Sequence, residues 1–300
     1  MKRIGCVLFC VCVAGAVAGS AGAQAPAGPK VFVSVDMEGI WGVVHGEQVN
    51  PGSPEYANAR RWMAEDANAV VAGLFEAGAG EVIVNDSHGG MRNIVADTLD
   101  PRASLVSGSP KPFGMMQGID ASYQAAVFVG YHARAGSAPA ILDHTIASAT
   151  IRGIRVNGQE LPELGLNAAL AGYHKVPVIL LTGDTETCSQ ARSVLGAGLT
   201  TAAVKEAIGR TAARMYPAGV ARARLKEAAK AALAGRAAAQ PFRIEGPYTF
   251  EVDFLNSAQA ELPSGLPGVR RTSPRSVSFT SGDYLEGFRL LRAIISLASS

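Results

Sequence analysis

The sequence predicts an α/β fold: a mainly parallel sheet with helices on both faces, plus a smaller C-terminal α+β domain. Three observations predict it. Four short apolar runs, at 31–35, 81–84, 125–129 and 178–181, alternate little, as strands buried on both faces do. Helical patterns fall between them, which is the layout of βαβ units. From about Thr200 the texture changes, first to Ala, Arg and Lys, then to a strand, a loop, a strand and a helix.

The chain opens with Met1-Lys2-Arg3, an apolar run from Ile4 to about Val17, and the small residues Ala21-Gly22-Ala23. A basic start, a short apolar run and a small-x-small end are the parts of a secretory signal. The run is too short and too broken by Gly and Ala to span a bilayer comfortably. Residues 1–23 are therefore expected to be a signal cleaved near Ala23, with 24–29 a linker and no stable membrane insertion afterwards. Cys6, Cys10 and Cys12 lie in that segment, leaving Cys188 alone, so neither an internal disulfide nor a Cys-based zinc site is expected. The expected destination is the periplasm or the medium.

After the first strand, Asn50-Pro51-Gly52-Ser53-Pro54-Glu55 reads as a turn and a helix start, with Ser53 as N-cap and Pro54 at the first position. Met63, Ala67, Val70, Val71, Leu74 and Phe75 share one face of that helix, and Gly78 and Gly80 stop it. Asn157-Gly158 suggests a hairpin turn and an antiparallel addition to the sheet. Residues 201–235 read as two helices broken near Pro217-Ala218-Gly219, followed by strand candidates at 242–254 and 275–280 and a helix from about Asp283. The expected division is a domain over 30–199 and a smaller one over 200–300.

Composition narrows the function. With 48% hydrophobic and 17% charged residues in 300, the chain is neither disordered nor fibrous. The 27 basic and 25 acidic residues give +2, and loss of Lys2 and Arg3 makes the balance even, so nucleic-acid binding has no electrostatic basis. No nucleophile elbow, dinucleotide fingerprint or P-loop occurs in the mature chain.

In open parallel sheets ligands bind beyond the carboxyl ends of the strands. Those ends read Asp36-Met37-Glu38-Gly39, Asn85-Asp86-Ser87-His88-Gly89 and Gly130-Tyr131-His132-Ala133-Arg134. Asp36 and Glu38, two apart, point to the same side of a continuing strand. Oxygen and imidazole donors without sulfur suit zinc in a catalytic setting. Two ions about 3.5–4 Å apart can share a carboxylate, activate water and polarise a carbonyl. His45 and His174 follow no buried strand and are read as structural. Asp86-Ser87-His88 has the letters of a triad, but consecutive residues cannot take its geometry.

Ser34 to Gly39, Asn85 to His88, Lys111-Pro112-Phe113, Gly130 to Arg134 and Glu163-Leu164-Gly165-Leu166-Asn167 stand in one order and spacing. Together they resemble the D-aminopeptidase family, the M55 zinc metallopeptidases, from about Lys30 to the C-terminus. The resemblance implies two Zn2+ per subunit, held by Asp36, Glu38, His88, His132 and Glu163, with Asp36 the bridge. It implies His144 as the catalytic nucleophile or acid/base. It also implies a homo-oligomer acting on short peptides with an N-terminal D-residue such as D-Ala. Arg134 and Lys111 are candidates for holding the peptide carboxylate. Two other classes stay open on sequence: a different dinuclear hydrolase of L-peptides, amides or phosphoesters, and a periplasmic solute-binding protein.

Overall fold

The first strand, β1 (Lys30–Val35), shows why the sheet lacks alternation: Val31, Val33 and Val35 enter one apolar cluster and Phe32 another, all fully buried. The computed structural model describes residues 1–2, 4–5 and 28–300. The signal's apolar run and Ala21-Gly22-Ala23 end, and most of the 24–29 linker, lie outside the described residues apart from Ile4, Gly5, Gly28 and Pro29. Among the described residues, no helix is long and apolar enough to cross a membrane.

After β1 come α1 (Gly46–Val49), α2 (Tyr56–Glu76), β2 (Glu81–Asp86), β3 (Ser104–Val106) and β4 (Ala125–Val129). The middle of the chain holds β5 (Ile151–Val156), β6 (Gln159–Glu160), α3 (Glu163–Tyr173), β7 (Val178–Asp184) and α4 (Thr185–Leu195). Then follow β8 (Thr200–Gly209), β9 (Ala212–Met215), α5 (Ala218–Ala234), β10 (Tyr248–Phe254), α6 (Glu261–Ser264), β11 (Arg270–Ser273), β12 (Ser276–Ser281) and α7 (Tyr284–Ala298).

A seven-stranded sheet in the order β3-β2-β1-β4-β7-β8-β9 is parallel except for β9. One face is covered by α2 and α5, through Met63, Ala67, Val70 and Leu74 against Leu225, Ala229 and Leu233. Burying a leucine of this kind contributes about 1.5–3 kcal/mol. The other face carries α3, α4, α7 and an antiparallel sheet in the order β11-β12-β10-β5-β6. The expected α/β class, a mainly parallel sheet with helices on both faces, is what the chain forms, and its smaller unit is an antiparallel sheet.

Several boundaries differ. Residues 200–215 are strands, not a helix: Ala202 and Val204 are buried, and pairing along β7 outweighs the helix propensity of alanine. Only the second half of the expected helical stretch is helix, as α5. A division at 199/200 does not separate the sheets, since β8 and β9 belong to the larger one while β5 and β6 belong to the smaller. The Asn157-Gly158 turn does form, with both residues at positive φ, but its hairpin extends the smaller sheet. The antiparallel addition to the larger sheet is β9. The helix after Ser53 begins only at Tyr56, because Ser53 and Glu55 are used in a preceding turn. The strand candidate at 242–254 shortens to β10. At the C-terminus Asp283 caps α7, accepting from the Glu286 amide at 3.0 Å.

Candidate metal centre

The ends of β1, β2 and β4 converge. The Asp36 amide donates to Val129 O and the Gly39 amide to Gly130 O, both at 2.8 Å, so the turn after β1 is laid against the end of β4. The approach requires glycine: a Cβ on Gly39 would run into the Tyr131 carbonyl, and Gly130 has φ +70° with Asp36 O in the place of its Cβ. Asp86, at the end of β2, accepts from the amides of Asn93 (2.5 Å) and Ile94 (2.7 Å) and from Asn93 Nδ2 (2.6 Å). Asn93 in turn donates to His88 O at 2.7 Å, which closes the loop that carries His88. Glu163 arrives separately, as the first residue of α3 behind the β5–β6 hairpin.

These elements place all five expected ligands in one buried cluster. His88 Nδ1 lies 3.1 Å from Glu38 Oε2 and 3.5 Å from Asp36 Oδ1. His132 Nε2 lies 3.5 Å from Asp36 Oδ2 and 3.3 Å from Glu163 Oε2. Donor atoms of Asp36, Glu38 and His88 fall within 4.8 Å of one another, as do those of His132, His144 and Glu163. Asp36 thus sends one oxygen toward each group.

Each imidazole has its far nitrogen beside a backbone carbonyl. His88 Nε2 lies 3.0 Å from Val49 O, His132 Nδ1 3.0 Å from Ala133 O, and His144 Nδ1 2.8 Å from Leu142 O. Neutral rings donate there, which fixes the tautomer and turns the opposite lone pair to the site. For His88 and His132 that lone pair faces carboxylate oxygens, an arrangement that is favourable only with a cation between them. Three buried carboxylates also need positive charge to offset their desolvation. The donor set fits divalent zinc.

With no metal, protons take that place. Burial and the Glu38 charge push the Asp36 carboxyl up to about 7. Burial opposes ionisation of Glu38, yet the charge and hydrogen bond of His88 hold its carboxyl well below the usual range. Burial likewise opposes protonation of His132, but Glu163 and Asp36 push it up to about 10. His144 moves the other way: burial and the neighbouring His132 lower it, favouring the neutral base.

His144 sits on a segment held at both sides. Its amide donates to Ala133 O (3.2 Å) and the Ile146 amide to Glu163 Oε2 (2.8 Å). Leu142 and Ile146 are both left-handed, at φ +48° and +60°, a conformation that costs a non-glycine residue about 1–3 kcal/mol. His45 caps α1 and His174 follows α3, and neither belongs to these groups of donors.

A family model described as peptidase M55, D-aminopeptidase, matches residues 30–293. The chain belongs to that family. A D-aminopeptidase of Bacillus subtilis (strain 168) is 37% identical over 270 residues, 90% of this chain and 97% of its own length. The solved structure of the Zn-dependent D-aminopeptidase DppA from Bacillus subtilis, described as a self-compartmentalizing protease, superposes with a TM-score of 0.87 at 35% identity. That match covers 90% of this chain and 98% of the other. This M55 member is accordingly a zinc-dependent D-aminopeptidase, a metallopeptidase.

Two sequence candidates fare differently. The Lys111 ammonium donates to Asn85 Oδ1 (2.7 Å), Asp86 O (2.8 Å) and Val106 O (3.1 Å), which uses all three protons. It ties the end of β2 to the end of β3. Arg134 stays near the site but pairs with Glu160 at 3.4 Å. Sequence reading missed Lys205, fully buried on β8, whose ammonium donates to the carbonyls of Glu38 (2.6 Å), Ile40 (2.9 Å) and Val43 (2.5 Å). It also missed Asp184, which ends β7 and accepts from the Ile141 amide at 2.7 Å, anchoring the approach to His144. Reading past the fourth strand, as past the first three, would have found Asp184.

Proposed function

We propose that this M55 member is an exported aminopeptidase that holds two zinc ions per subunit and releases N-terminal D-residues, such as D-Ala, from short peptides. The observation that carries the metal count is Asp36, whose two oxygens face one histidine each, His88 and His132. Asp36, Glu38 and His88 would hold one ion, and Asp36, His132 and Glu163 the other. When bound there, the ions would supply Lewis-acid polarisation of the scissile carbonyl and acidify water. His144, with Nδ1 engaged by Leu142 O, keeps Nε2 free as the nucleophile or proton-transfer group. His132 and Glu163 stay fixed by the Ala133 carbonyl and the Ile146 amide while this happens.

The basic start, apolar run and small-residue end of the first 23 residues support export. Outside the cytoplasm, D-Ala-rich peptides from the cell wall are a natural substrate pool. The relative described as self-compartmentalizing supports a homo-oligomer that encloses its active sites.

The test is hydrolysis of D-Ala-D-Ala against L-Ala-L-Ala, with and without a chelator. Cleavage of the D-isomer alone, abolished by chelation, is the expected result. Preference for the L-isomer would overturn the substrate reading. One zinc per active chain would overturn the dinuclear one. N-terminal sequencing of the exported protein is expected to begin near Gln24.

A further inference from the structure

The cavity holding the metal ligands is not alone. It is lined by Asp36, Glu38, His88, His132, His144 and Ser148 among others. His144 and Ser148 also line a second cavity of 640 Å³, which runs over the β5–β6 hairpin. That volume is in the usual range for a small-molecule site. A substrate whose N-terminal residue lies at the ligands and whose scissile bond lies at His144 has this space for the residues that follow.

The second cavity is lined by four arginines and three carboxylates. Two of the arginines are engaged: Arg134 with Glu160 (3.4 Å) and Arg210 with Asp143 (2.9 Å). The third carboxylate, Asp253, accepts from Ser276 Oγ at 2.7 Å. Arg152 and Arg155 have no ion partner within 4 Å among the described residues. Glu160 is the cross-strand neighbour of Arg155, yet its carboxylate lies over Gly153, where a Cβ would come within 2.8 Å of Oε1, and reaches Arg134 instead.

The backbone brings the two free arginines to one side. Ile151 pairs with Phe254 and Gly153 with Asp253, so Arg152 is the extra residue of a β-bulge. Bulges re-aim side chains, and this one puts Arg152 on the wall that Arg155 shares. Two guanidiniums lining one cavity, one exposed and one half-buried, each have the fork that takes a carboxylate in bidentate fashion.

We propose that Arg152 and Arg155 form a carboxylate-binding subsite for the part of the peptide beyond the scissile bond. The enzyme then favours peptides that carry a carboxylate one or two residues downstream over amidated ones. This rests on the aminopeptidase reading above. The carboxylate has two sources, the peptide C-terminus and an acidic side chain, and the shared chemistry is what the subsite recognises.

The experiment compares D-Ala-D-Ala, D-Ala-D-Ala amide and D-Ala-D-Glu amide on the zinc-loaded wild type and on the R152A/R155A and R152Q/R155Q proteins. The wild type is expected to favour a carboxylate-bearing peptide over D-Ala-D-Ala amide by about tenfold in kcat/KM, mostly through KM. In both double variants that ratio should fall to within about twofold. Because each ratio is taken within one preparation, the folded fraction cancels. If the preference follows D-Ala-D-Ala, the C-terminus is the source; if it follows D-Ala-D-Glu amide, the side chain is. Equal rates on all three in the wild type would overturn the subsite but leave the aminopeptidase reading standing. So would a preference that survives both double substitutions. A wild type inactive on all three would overturn that reading and the subsite with it.

Discussion

The imidazole rings of His132 and His144 lie face to face, their centroids 3.7 Å apart and their planes 15° from parallel. One ring faces Asp36 and Glu163; the other keeps a free nitrogen. Stacking therefore places a free base beside the proposed ligand His132 without making the two interchangeable. His144→Ala is expected to keep its fold and both zinc ions while kcat falls by about 10²–10⁴, with KM little changed. Turnover per zinc-loaded molecule is the measurement. Equal turnover would end the catalytic role, and loss of one zinc would make His144 a ligand.

Asp36→Ala should lose both ions, because each of its oxygens serves a different group of donors. Glu163→Ala should lose one preferentially, since Glu163 approaches only the His132 side. Zinc per chain by atomic absorption after dialysis reads both. An Asp36→Ala protein that retained two zinc ions and full activity would remove the bridge.

The pH dependence has a defined sign. In metal-free protein the Asp36 carboxyl is raised to about 7 and His132 to about 10, so the folded state binds more protons than the unfolded one. Stability from these groups is then lost as pH rises, for Asp36 between about 4 and 7 and for His132 between about 6.5 and 10. Zinc competes with those protons, so its stabilising effect should grow over the same range. Thermal melts from pH 6 to 9, with and without chelator, should diverge as pH increases. Activity should fall toward about pH 5 as the ligands protonate. Parallel melts would count against histidine ligation.

Lys205→Met leaves the carbonyls of Glu38, Ile40 and Val43 without their donor in a buried setting. Unpaired buried groups cost about 1–3 kcal/mol each, offset in part by removing a desolvated ammonium that burial already pushes down to about 8. A net loss of about 3 kcal/mol is expected, with weaker zinc binding because the loop carrying Glu38 loosens. Denaturant unfolding and zinc titration measure the two effects. An unchanged zinc affinity would show that the loop holds its shape without the lysine.

The sheet's centre was legible because buried parallel strands leave continuous apolar runs and concentrate polar chemistry at one end. Asp36, Glu38, His88 and His132 all stand there. Glu163 needed the family resemblance, since it reaches the cluster from the start of a helix after a hairpin. Lys205 was hidden in Ala202-Ala203-Val204-Lys205-Glu206-Ala207, a run of good helix formers that becomes a strand only because β7 offers an edge to pair with. Strands of the smaller sheet were legible, but their pairing was not, for a related reason. It joins β5 to β10, about a hundred residues apart, and no local pattern encodes such a pairing. The three acceptors that engage Lys111 were likewise not legible, because they come from the ends of two different strands.

The glycine contact between Gly39 and Gly130 ties the two halves of the centre into one piece. The turn bearing Asp36 and Glu38 lies so close to the strand end bearing His132 that a Cβ on either glycine would meet a carbonyl, and two backbone hydrogen bonds join them. An ion that departs leaves behind a mould, not a loose coil. Reloading after metal starvation should then cost little ordering entropy.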